Sequence, residues 1–159
     1  MSTTAATART PGFSFPVVLG GGLAVAVFDV VFACTYWAIA RGVPPIRIFQ
    51  SIASGWFGEA SFAGGLRTAS IGAASHAGIA IAMVLAYVVV ATRLRVLLDA
   101  PWRMGALYGV LLYGAMNFIV VPLSAASPAR FNLPWIASSI VVHVAIGIAC
   151  AFIARRAVR

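Results

Sequence analysis

Hydrophobic residues fall into four long runs along this chain, separated by short segments rich in arginine, glycine and proline. Each run is close to the length of about 20 residues that an α-helix needs to cross a hydrocarbon core. In lipid such runs must be helical, because every backbone polar group then needs an internal partner. The pattern predicts membrane spans over residues 16–40, 70–92, 104–124 and 135–154.

These spans predict an all-α membrane protein, a four-helix transmembrane bundle that forms a single domain over residues 13–156. Residues 1–12 are small and polar, which is typical of a disordered tail. Cys34 and Cys150 both fall inside spans, at depths that differ by about 15 Å at 1.5 Å per residue. Since a disulfide needs Cα atoms within about 7 Å, we expect two free thiols.

The one long connection, residues 41–69, contains a short amphipathic segment that begins after two prolines. Its polar residues recur at i, i+3, i+4 and i+7 and form one stripe: Arg47, Gln50, Ser51 and Ser54. Apolar residues, among them Phe49 and Trp56, form the neighbouring stripe. This pattern predicts a short interfacial helix between the first two spans. It either caps the bundle or acts as a lid that touches a substrate.

Composition and charge agree with a protein that is solvated mainly by lipid. Apolar residues make up 62% of the chain and charged residues only 9%, against about 25% charged in soluble domains. The net charge of +8 comes from arginines that flank the apolar runs instead of forming a basic face, so we expect a lipid bilayer and no nucleic acid as partner. Seven arginines lie on the side of the termini and four on the other side, which predicts cytoplasmic termini.

Each span carries one strongly polar residue: Asp29, His76, Asn117 and His143. Counted from the outer ends at 1.5 Å per residue, all four lie roughly 9 to 15 Å deep, in one layer. Each shares a helical face with small residues, and Asn117 shares its face with Gly109 and Tyr113. Small residues mark the faces where membrane helices approach closely. We therefore predict one polar layer inside the bundle.

Several hypotheses fit this layer. The polar groups could serve only in helix packing, or Asp29 could exchange a proton during movement of a solute. Alternatively, His76 and His143 could ligate a haem, or the same histidines with Asp29 could bind a transition metal. No soluble-enzyme motif is present, so no catalytic residue is assigned. The motif Gly105-x-x-x-Gly109 predicts close helix packing, within the bundle or in a homo-oligomer.

Several segments together resemble a group of small bacterial inner-membrane proteins with four spans, similar to the YagU-like proteins. The segments are Arg41-Gly42-Val43-Pro44, Arg47-Ile48-Phe49-Gln50-Ser51-Ile52-Ala53-Ser54-Gly55, His76, Leu107-Tyr108-Gly109, Met116-Asn117-Phe118, Val121-Pro122-Leu123-Ser124-Ala125 and His143. The resemblance implies a location in a bacterial inner membrane but no particular activity. We expect a protein that moves or senses a small solute or a proton. The alternatives are a structural or stress-related subunit and a haem- or metal-binding protein.

Overall fold

The computed structural model describes residues 12–127 and 132–158 and is helical throughout. Its helices are α1 (Phe15–Arg41), α2 (Pro45–Phe57), α3 (Gly65–Ala91), α4 (Val96–Asp99), α5 (Pro101–Ala115) and α6 (Leu133–Ala157). A 3-10 segment (Gly58–Ala63) follows α2, and a π-helical turn (Met116–Val120) continues α5. Four helices are long and apolar enough to cross a membrane, namely α1, α3, α5 with its π-helical turn, and α6. The predicted four-span fold and the short helix after the first span are therefore confirmed.

Two predicted boundaries differ from the observed ones by four or more residues, and one observed helix was not predicted. Helix α3 begins at Gly65, five residues before the predicted span. Its first turn is polar, and the prediction included only the apolar run that follows. The third span ends at Val120 instead of residue 124, and the short helix α4 was not predicted. The predicted tail, residues 1–12, lies almost wholly outside the described residues.

The end of the third span is explained by Pro122. Proline has no backbone N–H to donate, and its ring crowds the carbonyl four residues earlier. Before it, the helix widens into the π-helical turn, in which the Val121 N–H donates to the Met116 oxygen over 2.9 Å. The Asn117 side-chain amide donates to the Tyr113 oxygen over 2.9 Å, a carbonyl that also accepts from the Met116 N–H. Such turns are rare and recur at functional sites.

Both described chain ends meet at one end of the bundle, which we call the termini end. Phe13 and Val158 form an antiparallel bridge, and the Ser14 N–H donates to the Ala157 oxygen over 2.8 Å. The Tyr87 hydroxyl donates to the Leu97 oxygen over 2.9 Å and holds the α4 segment at the same end. The opposite end, which we call the α2 end, holds α2, the 3-10 segment and residues 121–127.

Helices α1, α3 and α6 pack against one another, and α5 lies along α6. The α5–α6 contact is made by glycines: Gly105 and Gly109 face Gly147, and a Cβ on any of the three would overlap backbone atoms of the other helix. The predicted close-packing motif is thus used within the bundle. Cys34 and Cys150 are both free, as expected.

Helix α2 packs mainly on the first turns of α3, where Gly72 leaves room for the backbone of Phe49. Its polar stripe is only partly turned towards the protein: Gln50 and Ser54 are 3% and 6% exposed, whereas Arg47 and Ser51 of the same stripe are exposed. The reason is that the stripe supplies hydrogen bonds to the returning chain. The Gln50 amide donates to the Gly65 oxygen over 3.1 Å, and the Arg47 guanidinium donates to the Phe62 oxygen over 3.2 Å.

Candidate functional site

A cavity of about 270 Å³ lies within the half of the bundle nearer the α2 end. Helices α1, α2, α3 and α6 and the π-helical turn after α5 all contribute to its wall. Its polar lining residues are Asp29, Ser51, His76, Asn117, Ser139 and His143. The four polar residues predicted to form one layer therefore surround one space, which is far larger than a single water molecule needs.

Asp29 and His76 are the only acidic and basic side chains that lie within 4 Å of each other in the described part of the chain. The Asp29 Oδ2 lies 3.8 Å from the His76 Nε2, and the side chains are 28% and 16% exposed. The same Nε2 lies 3.0 Å from the Ala26 carbonyl oxygen. Because a carbonyl can only accept, this nitrogen carries a hydrogen, so the second ring nitrogen, Nδ1, is the acceptor in the neutral ring.

The Nδ1 of His76 has no hydrogen-bond partner among the described residues and is not enclosed by them. His143 shows the reverse arrangement of its ring. Its Nδ1 lies 2.8 Å from the Ser139 carbonyl oxygen one turn earlier and therefore carries the hydrogen. Each imidazole is thus fixed by one nitrogen to a helix carbonyl, while the other nitrogen is free to accept a proton or a hydrogen bond from a bound molecule.

Asn117 lies in the cavity wall, whereas Tyr113 does not. Asn117 lines the cavity, but its amide nitrogen is engaged with the Tyr113 carbonyl oxygen, so it stabilises the π-helical turn. Tyr113 is not among the lining residues. Its ring packs edge-on against the His143 ring at 5.5 Å, so it restricts the orientation of that imidazole from behind.

Only one residue of the predicted interfacial stripe reaches the cavity. Ser51 lines it together with the aliphatic residues Ile48 and Ile52 of α2. Arg47, Gln50 and Ser54 do not line it, and Arg47 and Gln50 hold the connection to α3 in place instead. Helix α2 is therefore a wall of the cavity at the α2 end, with one hydroxyl exposed to it.

Two tryptophans that were not among the predicted site residues form a further wall. Trp37 and Trp135 line the cavity, and their ring centroids are 5.2 Å apart. Phe32 and Tyr36 pack against Trp135 at 5.6 and 4.9 Å. A signal for them was present, because Trp37 lies eight residues after Asp29 and Trp135 eight residues before His143, and residues about two turns apart share a helical face.

The cavity is lined by few ionisable side chains. Asp29 is its one carboxylate, and within residues 12–127 and 132–158 no arginine lines the cavity. No group of three or more His, Cys, Asp or Glu side chains in these ranges could hold a metal ion, so the geometry does not support a metal site formed by Asp29, His76 and His143. The ionisable groups of the lining are thus one carboxyl group, that of Asp29, and two imidazoles, those of His76 and His143.

Comparisons with protein-family models, with curated proteins and with solved structures each find no significant match. The function of the protein is therefore inferred from the cavity and from its residues.

Proposed function

We propose that this protein is a small inner-membrane carrier that binds a solute in the cavity and couples its movement to a proton held by Asp29 and His76. The observation that supports this most directly is the Asp29–His76 pair, placed beside a space large enough for a ligand. An ionisable pair at membrane depth is costly, and such groups commonly mark substrate or proton pathways. The arginine bias and the resemblance to bacterial four-span proteins favour a bacterial inner membrane.

The alternative is a structural or stress-related subunit in which the same residues only fix helix packing. Polar groups that serve packing alone are expected to find partners within the protein. Here each histidine makes one such bond, to Ala26 or Ser139, and its second nitrogen has no partner among the residues that the structure describes. The Asp29 carboxylate is 28% exposed, and the His76 Nε2 lies 3.8 Å from its Oδ2. This distance is longer than that of a hydrogen bond. These unused acceptors around a cavity favour ligand binding over packing alone.

A carrier must expose its site to each side of the membrane in turn, which gives a test that needs no known substrate. In a background without Cys34 and Cys150, we expect Ser139→Cys to react with a charged, membrane-impermeant thiol reagent from both sides. Ser139 lines the cavity but is only 6% exposed, so the reagent reaches it through the cavity. Labelling is measured in right-side-out and inverted vesicles.

The matched control for this test is Ala151→Cys on the same helix, which is fully buried and lies outside the cavity. We expect it to remain unlabelled from either side. If the Ser139→Cys variant reacts from one side only, or from neither, the protein is not a carrier and the structural alternative is favoured.

The orientation proposed from the arginine distribution, with cytoplasmic termini, is tested separately. We expect Ala60→Cys in the exposed 3-10 segment to react with impermeant reagent in intact cells, and Val96→Cys in α4 to react only after lysis. Both side chains are exposed, so the accessible side alone decides the result. The opposite pattern would reverse the orientation while leaving the four-span fold intact.

A further inference from the structure

We infer that the cavity takes a protonated amine with a small apolar body, whose ammonium group lies at Asp29 and whose body packs on Trp37 and Trp135. This inference deepens the proposed carrier function by naming its solute class, but the binding it describes is measurable without transport. The three residues that carry it line the same cavity, and two of them were not among the residues that the sequence singled out.

The charges of the lining select a cation. Asp29 is the one carboxylate of the cavity wall, and no arginine among the described residues lines it. An anion would lie beside a like charge without a compensating cation, which disfavours it. An ammonium group, by contrast, offers N–H donors to the carboxylate and to the two imidazole nitrogens that have no partner within residues 12–127 and 132–158, Nδ1 of His76 and Nε2 of His143.

The positions of the aromatic rings select the shape of the ligand. Trp37 follows Asp29 by eight residues and Trp135 precedes His143 by eight, so the aromatic wall is displaced by about 12 Å along the helices from the ionisable groups. A compact cation cannot contact both parts, whereas an amine with an apolar body can. The volume of about 270 Å³ is near the lower limit of ligand pockets, which restricts the body to about one ring or a short chain.

The same geometry explains how the solute and a proton would be coupled. The ammonium group and a proton both neutralise the Asp29 carboxylate, so binding of one disfavours binding of the other. When the amine binds to the protonated Asp29–His76 pair, one proton is released to water, and the net charge of the site is unchanged. This competition needs no residue beyond those that line the cavity.

The test uses the full-length protein in detergent with 2-phenylethylammonium as the probe. The matched probes are 2-phenylethanol, which is neutral, and 3-phenylpropanoate, which is anionic. Binding is measured by equilibrium dialysis. A Trp56→Phe/Trp102→Phe background leaves only the cavity tryptophans, so that their fluorescence reports occupancy of this site. We expect the cation to bind at least tenfold more tightly than either matched probe, and its affinity to fall as the pH is lowered, because a proton competes with it for Asp29.

In Asp29→Asn the preference for the cation should disappear, and in Trp37→Leu the binding of the cation should weaken. Asp99→Asn, which removes an exposed carboxylate of α4, should behave like the parent. Equal binding of the neutral probe, a cation preference that persists in Asp29→Asn, or no binding of any probe would each overturn the inference. These results do not affect the carrier proposal, which the labelling of the Ser139→Cys variant decides. Conversely, labelling of Ser139→Cys from one side only, together with cation binding that depends on Asp29, would contradict the carrier proposal and support the amine site.

Discussion

Replacing Gly109 with leucine is expected to destabilise the four-helix bundle strongly. A Cβ at this position would overlap the His143 carbonyl and the Val144 Cα of α6, and Gly147 faces it directly. Both obstacles are backbone, so neither can move aside as a flexible side chain would. Overpacking a well-packed site typically costs 1–3 kcal/mol, and this contact between two backbones should cost about 3 kcal/mol or more.

Gly114→Leu is the matched control on the same helix. No atom lies within 4 Å of a Cβ built there, so the substitution should leave stability unchanged or raise it, since leucine is a better helix former than glycine. Thermal unfolding followed by size-exclusion chromatography in detergent compares the two variants. If Gly109→Leu unfolds at the temperature of Gly114→Leu, the close α5–α6 contact is wrong, and with it the position of His143 in the cavity wall.

The same glycines illustrate why much of this fold could be predicted from the sequence. A bilayer imposes a fixed length on apolar helices, so the spans stand out from their lengths alone. Small residues mark the faces that approach other helices, so the burial of Gly72 and Gly147 beside the histidines was expected. Together these two constraints placed Asp29, His76, Asn117 and His143 in one layer, and the structure brings all four to one cavity.

Other features depend on contacts that no local pattern specifies. The polar stripe of α2 resembles a stripe that faces water, yet Gln50 is buried because the returning chain supplies the Gly65 carbonyl that it bonds. The role of Asn117 depends on the π-helical turn. This turn arises from a change in the backbone hydrogen-bond register before Pro122, which the periodicity of the side chains does not indicate. Trp37 and Trp135 resemble ordinary aromatic residues at a membrane interface, and only the packing of α1 against α6 shows that their rings face the cavity.

Asp29→Asn is expected to uncouple the site from protons without unfolding the protein. The change keeps the size of the side chain, and the hydrogen bond from His76 to the Ala26 oxygen does not involve Asp29. Removing a carboxylate from membrane depth also removes a desolvation cost. The unfolding temperature should therefore equal or exceed that of the parent, so that any loss of function cannot be attributed to a loss of fold.

The functional loss is measured in the Ser139→Cys background, as the ratio of labelling from the two sides of the membrane. In the parent this ratio should change at least fivefold between about pH 5 and pH 8, where imidazole charge changes, since coupling between sites is commonly 5- to 150-fold. Ionisation of the thiol also changes with pH, but it alters labelling from both sides equally and therefore does not affect this ratio. The ionisable groups that face Asp29 in the cavity are His76 of α3 and His143 of α6; α2 and the π-helical turn contribute only uncharged groups.

In Asp29→Asn the ratio should change less than about twofold over the same range, because the carboxylate that a proton and the solute would share is absent. Asp99→Asn, which removes an exposed carboxylate in α4, is the matched control and should keep the response of the parent. A response that survives in Asp29→Asn would assign the proton to His143 or His76 alone. A parent whose ratio does not change with pH would show that no proton is coupled to this cavity, even if the Ser139→Cys variant is labelled from both sides.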